Sequence, residues 1–216
     1  METIKLDARN IDECAARAAA VLRTGGVVLY PTDTLYGLGA DALSDTAVAK
    51  IHAIKGREEK KPIHAIVSGV DMAEKYAELT DDVRLLAERL PQGQVTFIVE
   101  KKAGFDTGVM NGIATFGFRI PDNSFCLALA REFGKPITAT SANKAGQKPE
   151  RDIGKILIQL GPAVEGIDLV VDAGELPESK PSTVVDFSGT EPVILREGAI
   201  SAALLHLPHA RGTTTQ

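Results

Sequence analysis

Short apolar runs and helical stripes alternate along this chain. Ile11, Ala15, Ala19 and Leu22 recur at helical spacing after Asn10-Ile11-Asp12-Glu13, which has the form of a capping box, and Gly25-Gly26 ends the stripe. Val27-Val28-Leu29-Tyr30 follows as a buried strand that Pro31 halts. Ser44 caps a second predicted helix carrying Val48, Ile51 and Ile54. Ile63 to Val67 reads as a strand, with helices around Met72–Leu79 and Val83–Leu90, the latter ending at Pro91. Val95–Val99 is another strand. From Thr115 to Ile120 the alternation is clear, with Phe116, Phe118 and Ile120 on one face and Thr115, Gly117 and Arg119 on the other. A helix from Ser124 to Phe133 stops at Gly134, and Ile137–Thr140 resumes the sheet. Helix Ile153–Leu160 and strands Leu169–Val171, Thr183–Phe187 and Val193–Leu195 complete the pattern. Interspersed helices and short apolar strands predict an α/β fold, a single domain with a twisted mixed β-sheet and helices packed around it. The domain is expected to span residues 1–207, with a flexible tail over residues 208–216.

Composition narrows the classes. The 216 residues are 44% hydrophobic and 25% charged, which argues against disordered, collagen-like and coiled-coil chains. No apolar stretch approaches the ~18 residues of a spanning helix, and Met1 to Asp7 lacks the basic start and apolar centre of a signal peptide. A cytoplasmic protein without membrane association is expected. Cys14 and Cys126 fall in helical stripes among Ala and Leu and read as buried thiols. A formal charge of −5 argues against a surface that grips nucleic acid throughout, so any polyanion must meet a local basic cluster.

Three segments carry candidate chemistry. Pro31-Thr32-Asp33-Thr34-Leu35-Tyr36-Gly37-Leu38-Gly39-Ala40 follows a buried strand, where open α/β sheets place ligands, and its hydroxyls and carboxylate suit either a small polar substrate or a self-satisfied turn. Gly37, Gly39 and Ala42 also match a dinucleotide fingerprint, but Pro31 to Tyr36 separate the glycines from the strand. Lys55-Gly56-Arg57-Glu58-Glu59-Lys60-Lys61-Pro62 follows a helix and is either a phosphate clamp or a solvated basic face. Thr138-Ala139-Thr140-Ser141-Ala142-Asn143, running into Gly146 and Pro149, offers short polar side chains to a nucleotide, or forms a polar turn. The four histidines and two cysteines show no metal-ligand spacing, and no P-loop or nucleophile elbow is present.

In order and spacing these segments, with Phe118-Arg119-Ile120-Pro121, Pro181-Ser182-Thr183-Val184-Val185-Asp186 and Leu195-Arg196-Glu197-Gly198, resemble the YrdC family over roughly Gly25 to Ile200. Members are threonylcarbamoyl-AMP synthases, which join L-threonine, bicarbonate and ATP to give threonylcarbamoyl-adenylate and pyrophosphate for N6-threonylcarbamoyladenosine at tRNA position 37. The resemblance implies a single-domain form without the extra C-terminal domain of longer members. It implies that Lys55, Arg57, Ser141 and Asn143 carry the catalysis, and that these with Lys61, Thr115, Pro149 and Arg196 hold ATP. Thr34, His64, Arg119 and Ser182 would hold L-threonine, with Arg119 on its carboxylate. Mg²⁺ would arrive with ATP rather than at a protein site. A tRNA and the downstream threonylcarbamoyl-transferase complex are further implied partners.

The pattern departs from the family at two places. Many members carry a threonine-binding His four residues after the Pro that ends the basic loop, where this chain has Ile66; His64 lies on the same strand face, ~6.5 Å away. Lys61 stands where relatives often have Asn. The competing expectations are a YciO-like paralogue with the same pocket and weak synthase activity, and a tRNA or double-stranded RNA binding module without turnover.

Overall fold

Ten strands join into one mixed sheet in the computed structural model, which describes residues 1–56, 62–201 and Leu205. In chain order they are β1 (Glu2–Lys5), β2 (Val28–Pro31), β3 (Tyr36–Gly39), β4 (His64–Ile66), β5 (Val95–Glu100), β6 (Thr115–Arg119), β7 (Ile137–Ser141), β8 (Leu169–Asp172), β9 (Thr183–Asp186) and β10 (Val193–Arg196). Across the sheet the order is β1-β8-β2-β3-β7-β4-β6-β5-β9-β10. The helices are α1 (Ile11–Arg23), α2 (Asp45–Lys55), α3 (Val70–Ala73), α4 (Asp81–Arg89), α5 (Ser124–Phe133) and α6 (Ile153–Leu160). The fold is thus the expected single α/β domain with a mixed sheet. No helix among the described residues is long and apolar enough to cross a membrane. The expected tail from Pro208 lies outside the described residues.

Two apolar layers flank the sheet. On one face α1 lays Ala15, Ala18, Ala19 and Leu22 against Phe125, Leu129 and Phe133 of α5, and both helices cover Val28, Tyr30, Ile66 and Ile137. The small side chains of α1 let α5 approach closely, and both free thiols, Cys14 and Cys126, are buried here. On the other face Ile51, Phe116, Phe118, Met110 and Val170 belong to a larger cluster that takes in residues of α2, α3, α4 and α6. Fully burying side chains of this size stabilises by ~1.5–3 kcal/mol each.

Local expectations fail where tertiary partners intervene. Asn10 precedes α1, yet its side chain turns away from the helix: Oδ1 accepts from Asp7 N–H at 2.8 Å and Nδ2 donates to the Lys5 carbonyl at 2.9 Å. No capping box forms, because that amide ties the incoming β1 instead. The β1 strand, with no apolar pattern of its own, exists because it pairs in parallel with β8. Pro31 is the last residue of β2 rather than its stop, and Gly37-Leu38-Gly39 forms a second hairpin strand instead of a ligand loop. The helix expected around Met72–Leu79 is confined to Val70–Ala73.

The middle of the sheet turns on β7. Its first half, Ile137 to Ala139, pairs with β4, and its last residues, Thr140 and Ser141, pair with Leu38 and Gly37 of β3. Within the first half Thr138, part of the segment read as either nucleotide contacts or a polar turn, is fully buried and does structural work: its Oγ1 accepts from Ala40 N–H at 2.9 Å and donates to the Leu38 carbonyl at 3.0 Å. The side chain supplies the hydrogen bonds that an irregular ladder leaves open. Thr138→Val keeps the shape and orphans both groups, so it should lower stability by about 2–4 kcal/mol. Denaturant unfolding checks this as a lower midpoint at unchanged slope.

Candidate active site

The cleft is built around Arg119. The β6 alternation sends this side chain away from the Phe116–Phe118 layer, and the residue is only 9% exposed. Its Nε donates to the Gly93 carbonyl at 2.8 Å, Nη1 to Thr34 Oγ1 at 3.3 Å and Nη2 to Asp33 Oδ2 at 2.5 Å. Three of the five guanidinium N–H groups are engaged, leaving one on each terminal nitrogen, the fork that a carboxylate accepts. Asp33 and Thr34 sit in the tight β2–β3 turn, where Thr32 Oγ1 donates to the Leu35 carbonyl at 2.7 Å and accepts from Thr34 N–H at 3.1 Å. Gly93, at φ +78°, passes so near that a Cβ there would strike the Asp33 carboxylate. Burial pushes the Asp33 carboxyl above the usual carboxylate range, with the Arg119 charge and the Asp33 and Asp122 backbone N–H groups opposing the rise. Asp33 Oδ1 is buried without a hydrogen-bond partner.

Strand β4 forms one wall. His64 and Ile66 both line the cleft, and Ile66 also belongs to the α1–α5 core. The imidazole lies on Gly117, where a Cβ would come within 2.5 Å of His64 Cδ2. That ring separates Arg119 from Thr115, which pairs with Glu100 at the far end of β6, ~13 Å along the strand. Sharing a strand face therefore does not put Thr115 into the cleft lining beside Arg119. Opposite, Ser182 Oγ shares a 2.8 Å hydrogen bond with Thr96 Oγ1, and Arg196 Nη2 donates to the Ser182 carbonyl at 2.9 Å. Burial and the neighbouring charge of Arg119 lower the Arg196 pKa.

The third wall is the turn after β7. Lys55, expected on phosphate, is 4% exposed, and its ammonium lies beneath this turn. Its Nζ donates to the Ser141 carbonyl, to the Asn143 carbonyl at 2.9 Å and to Asn143 Oδ1 at 3.2 Å. Asn143 is buried too, with Nδ2 donating to the Gln147 carbonyl at 2.6 Å, while Ser141 and Pro149 reach the cleft. In this geometry the Lys55 ammonium is hydrogen-bonded to the inward-pointing carbonyls of the turn. Arg57 and Lys61 lie outside the described residues.

The cleft encloses about 550 Å³. Arg119, Lys148, Arg151 and Arg196 line it, with no Asp or Glu among the described lining residues, in a chain of net charge −5. Residues 173–182 cross its mouth, held by Tyr36 Oη donating to the Gly174 carbonyl at 2.7 Å and by Ser179 Oγ donating to the Thr34 carbonyl at 2.9 Å. Of the residues expected to act, Thr34, His64, Arg119, Ser141, Pro149, Ser182 and Arg196 meet in this one cavity. Sequence reasoning missed Lys148 and Arg151, whose basic spacing around Pro149 was the available signal, and Gly93, which carried none.

Known proteins are similar to this chain in sequence and fold. The family model described as "Telomere recombination" (Sua5_yciO_yrdC) matches residues 20–198. A Bacillus subtilis protein named threonylcarbamoyl-AMP synthase is 35% identical over 192 residues, 88% of this chain and 55% of its own length. A mouse protein of the same name is 35% identical over 182 residues, 82% of this chain and 63% of its own. This chain thus spans between half and two thirds of those relatives. The structure of P. abyssi Sua5 complexed with L-threonine superposes with a TM-score of 0.84 at 28% identity, over 95% of this chain and 59% of that one. E. coli YciO superposes with a TM-score of 0.78 at 26% identity, over 93% of this chain and 96% of that one. With nearly the whole fold and the cleft-forming segments inside the matched span, the chain belongs to the Sua5/YciO/YrdC family.

Proposed function

We propose that this chain is a threonylcarbamoyl-AMP synthase, using L-threonine, bicarbonate and ATP. The observation that carries the reading is the cleft's charge: four cationic side chains and no carboxylate among the described lining residues, with Arg119 oriented beforehand as a carboxylate fork. Such a cavity suits a small carboxylate beside a polyphosphate. The P. abyssi protein in complex with L-threonine and the relatives' names support it.

In this reading Arg119 grips the threonine carboxylate, while Thr34, His64 and Ser182 surround its side chain and amine. The amine attacks bicarbonate, releasing water and forming a carbamate. A carbamate oxygen then attacks the α-phosphorus of ATP, and the bond to the bridging oxygen breaks to release pyrophosphate. Negative charge builds on phosphate oxygens in that step, and Arg196 on the Ser182 side and the Ser141 turn held by Lys55 flank it. Arg57 and Lys61 complete the nucleotide contacts in the same proposal, as does Asn143 through the turn; Thr115 would serve only a part of the nucleotide lying beyond His64. Mg²⁺ would arrive with ATP and be held by its phosphates. The product would serve tRNA modification through a separate threonylcarbamoyl-transferase, in a cytoplasmic setting.

The deciding experiment combines purified protein, ATP, Mg²⁺, L-threonine and radiolabelled bicarbonate. A labelled adenylate that requires all components is expected; its absence, with no pyrophosphate released, overturns the reading in favour of a binding protein or a YciO-like paralogue without this turnover.

Arg119→Lys should raise the threonine KM by about tenfold to a hundredfold and the ATP KM much less, because an ammonium makes no bidentate pair. Asp33→Asn should move the threonine KM the same way by freeing the fork to rotate. Steady-state kinetics varying each substrate separates the effects; equal losses for both substrates would remove the carboxylate assignment.

Selectivity between threonine and serine rests on one methyl group, which discriminates by only ~1–3 kcal/mol. Ile66→Ala should erode that preference, whereas His64→Ala should weaken threonine binding. Competitive turnover of the two amino acids reads both effects.

A further inference from the structure

Thr96 is a polar residue buried in the middle of an apolar strand, and neither the sequence motifs nor the mechanism above gives it a task. Its β5 neighbours Val95, Phe97 and Val99 belong to the larger apolar cluster, so alternation sends Thr96 to the cleft side. Phe97 opposes Phe118 on β6, and one rung on Thr96 comes beside Arg119. On the other flank Thr96 pairs with Val184 of β9, two residues after Ser182. Thr96 is 2% exposed, and its hydroxyl makes one hydrogen bond among the described residues, to Ser182 Oγ at 2.8 Å. Ser182 is held from a second side as well, where Arg196 Nη2 reaches its carbonyl at 2.9 Å and its Oγ at 3.3 Å.

A hydroxyl has one proton and two lone pairs, and a guanidinium can only donate, so Arg196 takes one lone pair of Ser182 Oγ. The bond between the two hydroxyls can run in either direction. If Thr96 donates, both Ser182 lone pairs are used and the Ser182 proton is left for the cleft. If Ser182 donated instead, the Thr96 proton would need an acceptor, and the described residues offer it none but Ser182. We propose that Thr96 is a positioning residue that fixes Ser182 as a hydrogen-bond donor to the side-chain oxygen of the bound amino acid, and so helps to select a substrate with a hydroxyl. This rests on the synthase reading for L-threonine as that substrate. Arg119 takes the carboxylate in that reading, and the guanidinium of Arg196 beside Ser182 disfavours an ammonium there, so the side-chain hydroxyl is the group left to meet the Ser182 proton. A donor that demands an oxygen rejects an analogue without one more strongly than a missing methyl can be sensed. Thr96 acts through Ser182 and need not touch the substrate.

Calorimetry of the full chain with L-threonine tests this without turnover. Thr96→Val keeps the shape and suits a strand while removing the donor. It should weaken L-threonine binding about threefold to tenfold, the loss of one neutral hydrogen bond, and leave the affinity for a non-hydrolysable ATP analogue unchanged. Thr96→Ser, which retains the hydroxyl, should stay near wild-type affinity. In a Ser182→Ala background Thr96→Val should weaken L-threonine binding no further. L-Valine, the isostere without the hydroxyl, should bind the wild type about tenfold or more weakly than L-threonine, and Thr96→Val should leave its affinity unchanged. Wild-type L-threonine affinity in Thr96→Val, equal losses in Thr96→Val and Thr96→Ser, a loss that persists in the Ser182→Ala background, or an equal loss for L-valine overturns the positioning role. So does the absence of L-threonine binding by the wild type. Adenylate formation with L-threonine binding indifferent to Thr96 sinks this proposal alone. Thr96-dependent L-threonine binding without adenylate formation sinks the synthase reading and leaves the proposal standing.

Discussion

A guanidinium and a carboxylate taken out of water together set the centre of this molecule. Each of Arg119 and Asp33 depends on the other there, since removing one partner of a buried pair costs about 3–5 kcal/mol. The pair joins the β2–β3 turn to the end of β6, and Gly93 closes the third side with its carbonyl on Arg119 Nε. Three chain segments far apart in sequence thereby converge at one point. The price is an Asp33 oxygen without a partner, held in a site whose burial disfavours its charge. Such a pair stabilises little in itself; what it secures is the direction of the guanidinium.

The same economy of polar groups recurs at β7. Thr138 fills a gap in the ladder with its hydroxyl, and Lys55 satisfies inward-pointing carbonyls of the following turn. Both residue types are ordinary ligands elsewhere. Here they shape the surface from behind, and Ser141, Pro149 and Arg151 meet the solvent of the cleft. The buried polar groups of this wall are hydrogen-bonded among themselves, Asn143 Oδ1 accepting from both Lys55 Nζ and Ser141 Oγ. Residues 173–182 complete the lining, hydrogen-bonded to Tyr36 and Thr34.

Charge separation follows from that architecture. The chain is acidic overall, yet the described carboxylates are kept out of the cavity lining: Asp33 pairs with Arg119, and Glu178, paired with Arg151, is 95% exposed. A concave, low-dielectric space lined by one sign of charge focuses field and draws anions in. Its positive potential belongs to the cavity and not to the protein as a whole.

Strand alternation alone put Arg119 on the polar face of β6 and Phe116 and Phe118 on the apolar one, and apolar spacing alone placed α1, α2, α5 and α6. Those are local properties, governed by periods of 2 and 3.6 residues, and a linear reading recovers them. The order of motifs from Pro31 to Gly198 was likewise enough to recognise the family. Contacts between distant segments were not legible in the same way. Nothing in Glu2–Lys5 announces a strand, because β8 makes it one; nothing in Asn10 announces that it serves β1 instead of capping α1. The charge of Lys55 near a glycine is visible in sequence, whereas its burial under the Ser141 turn is not. Thr115 read as a neighbour of Arg119 because a shared face is visible, whereas the His64 ring lying between them on Gly117 belongs to another strand. The chain's periodicity determined which side chains face which way; only the tertiary structure decided which of them reach the cleft, because that depends on what each buried polar group must satisfy first.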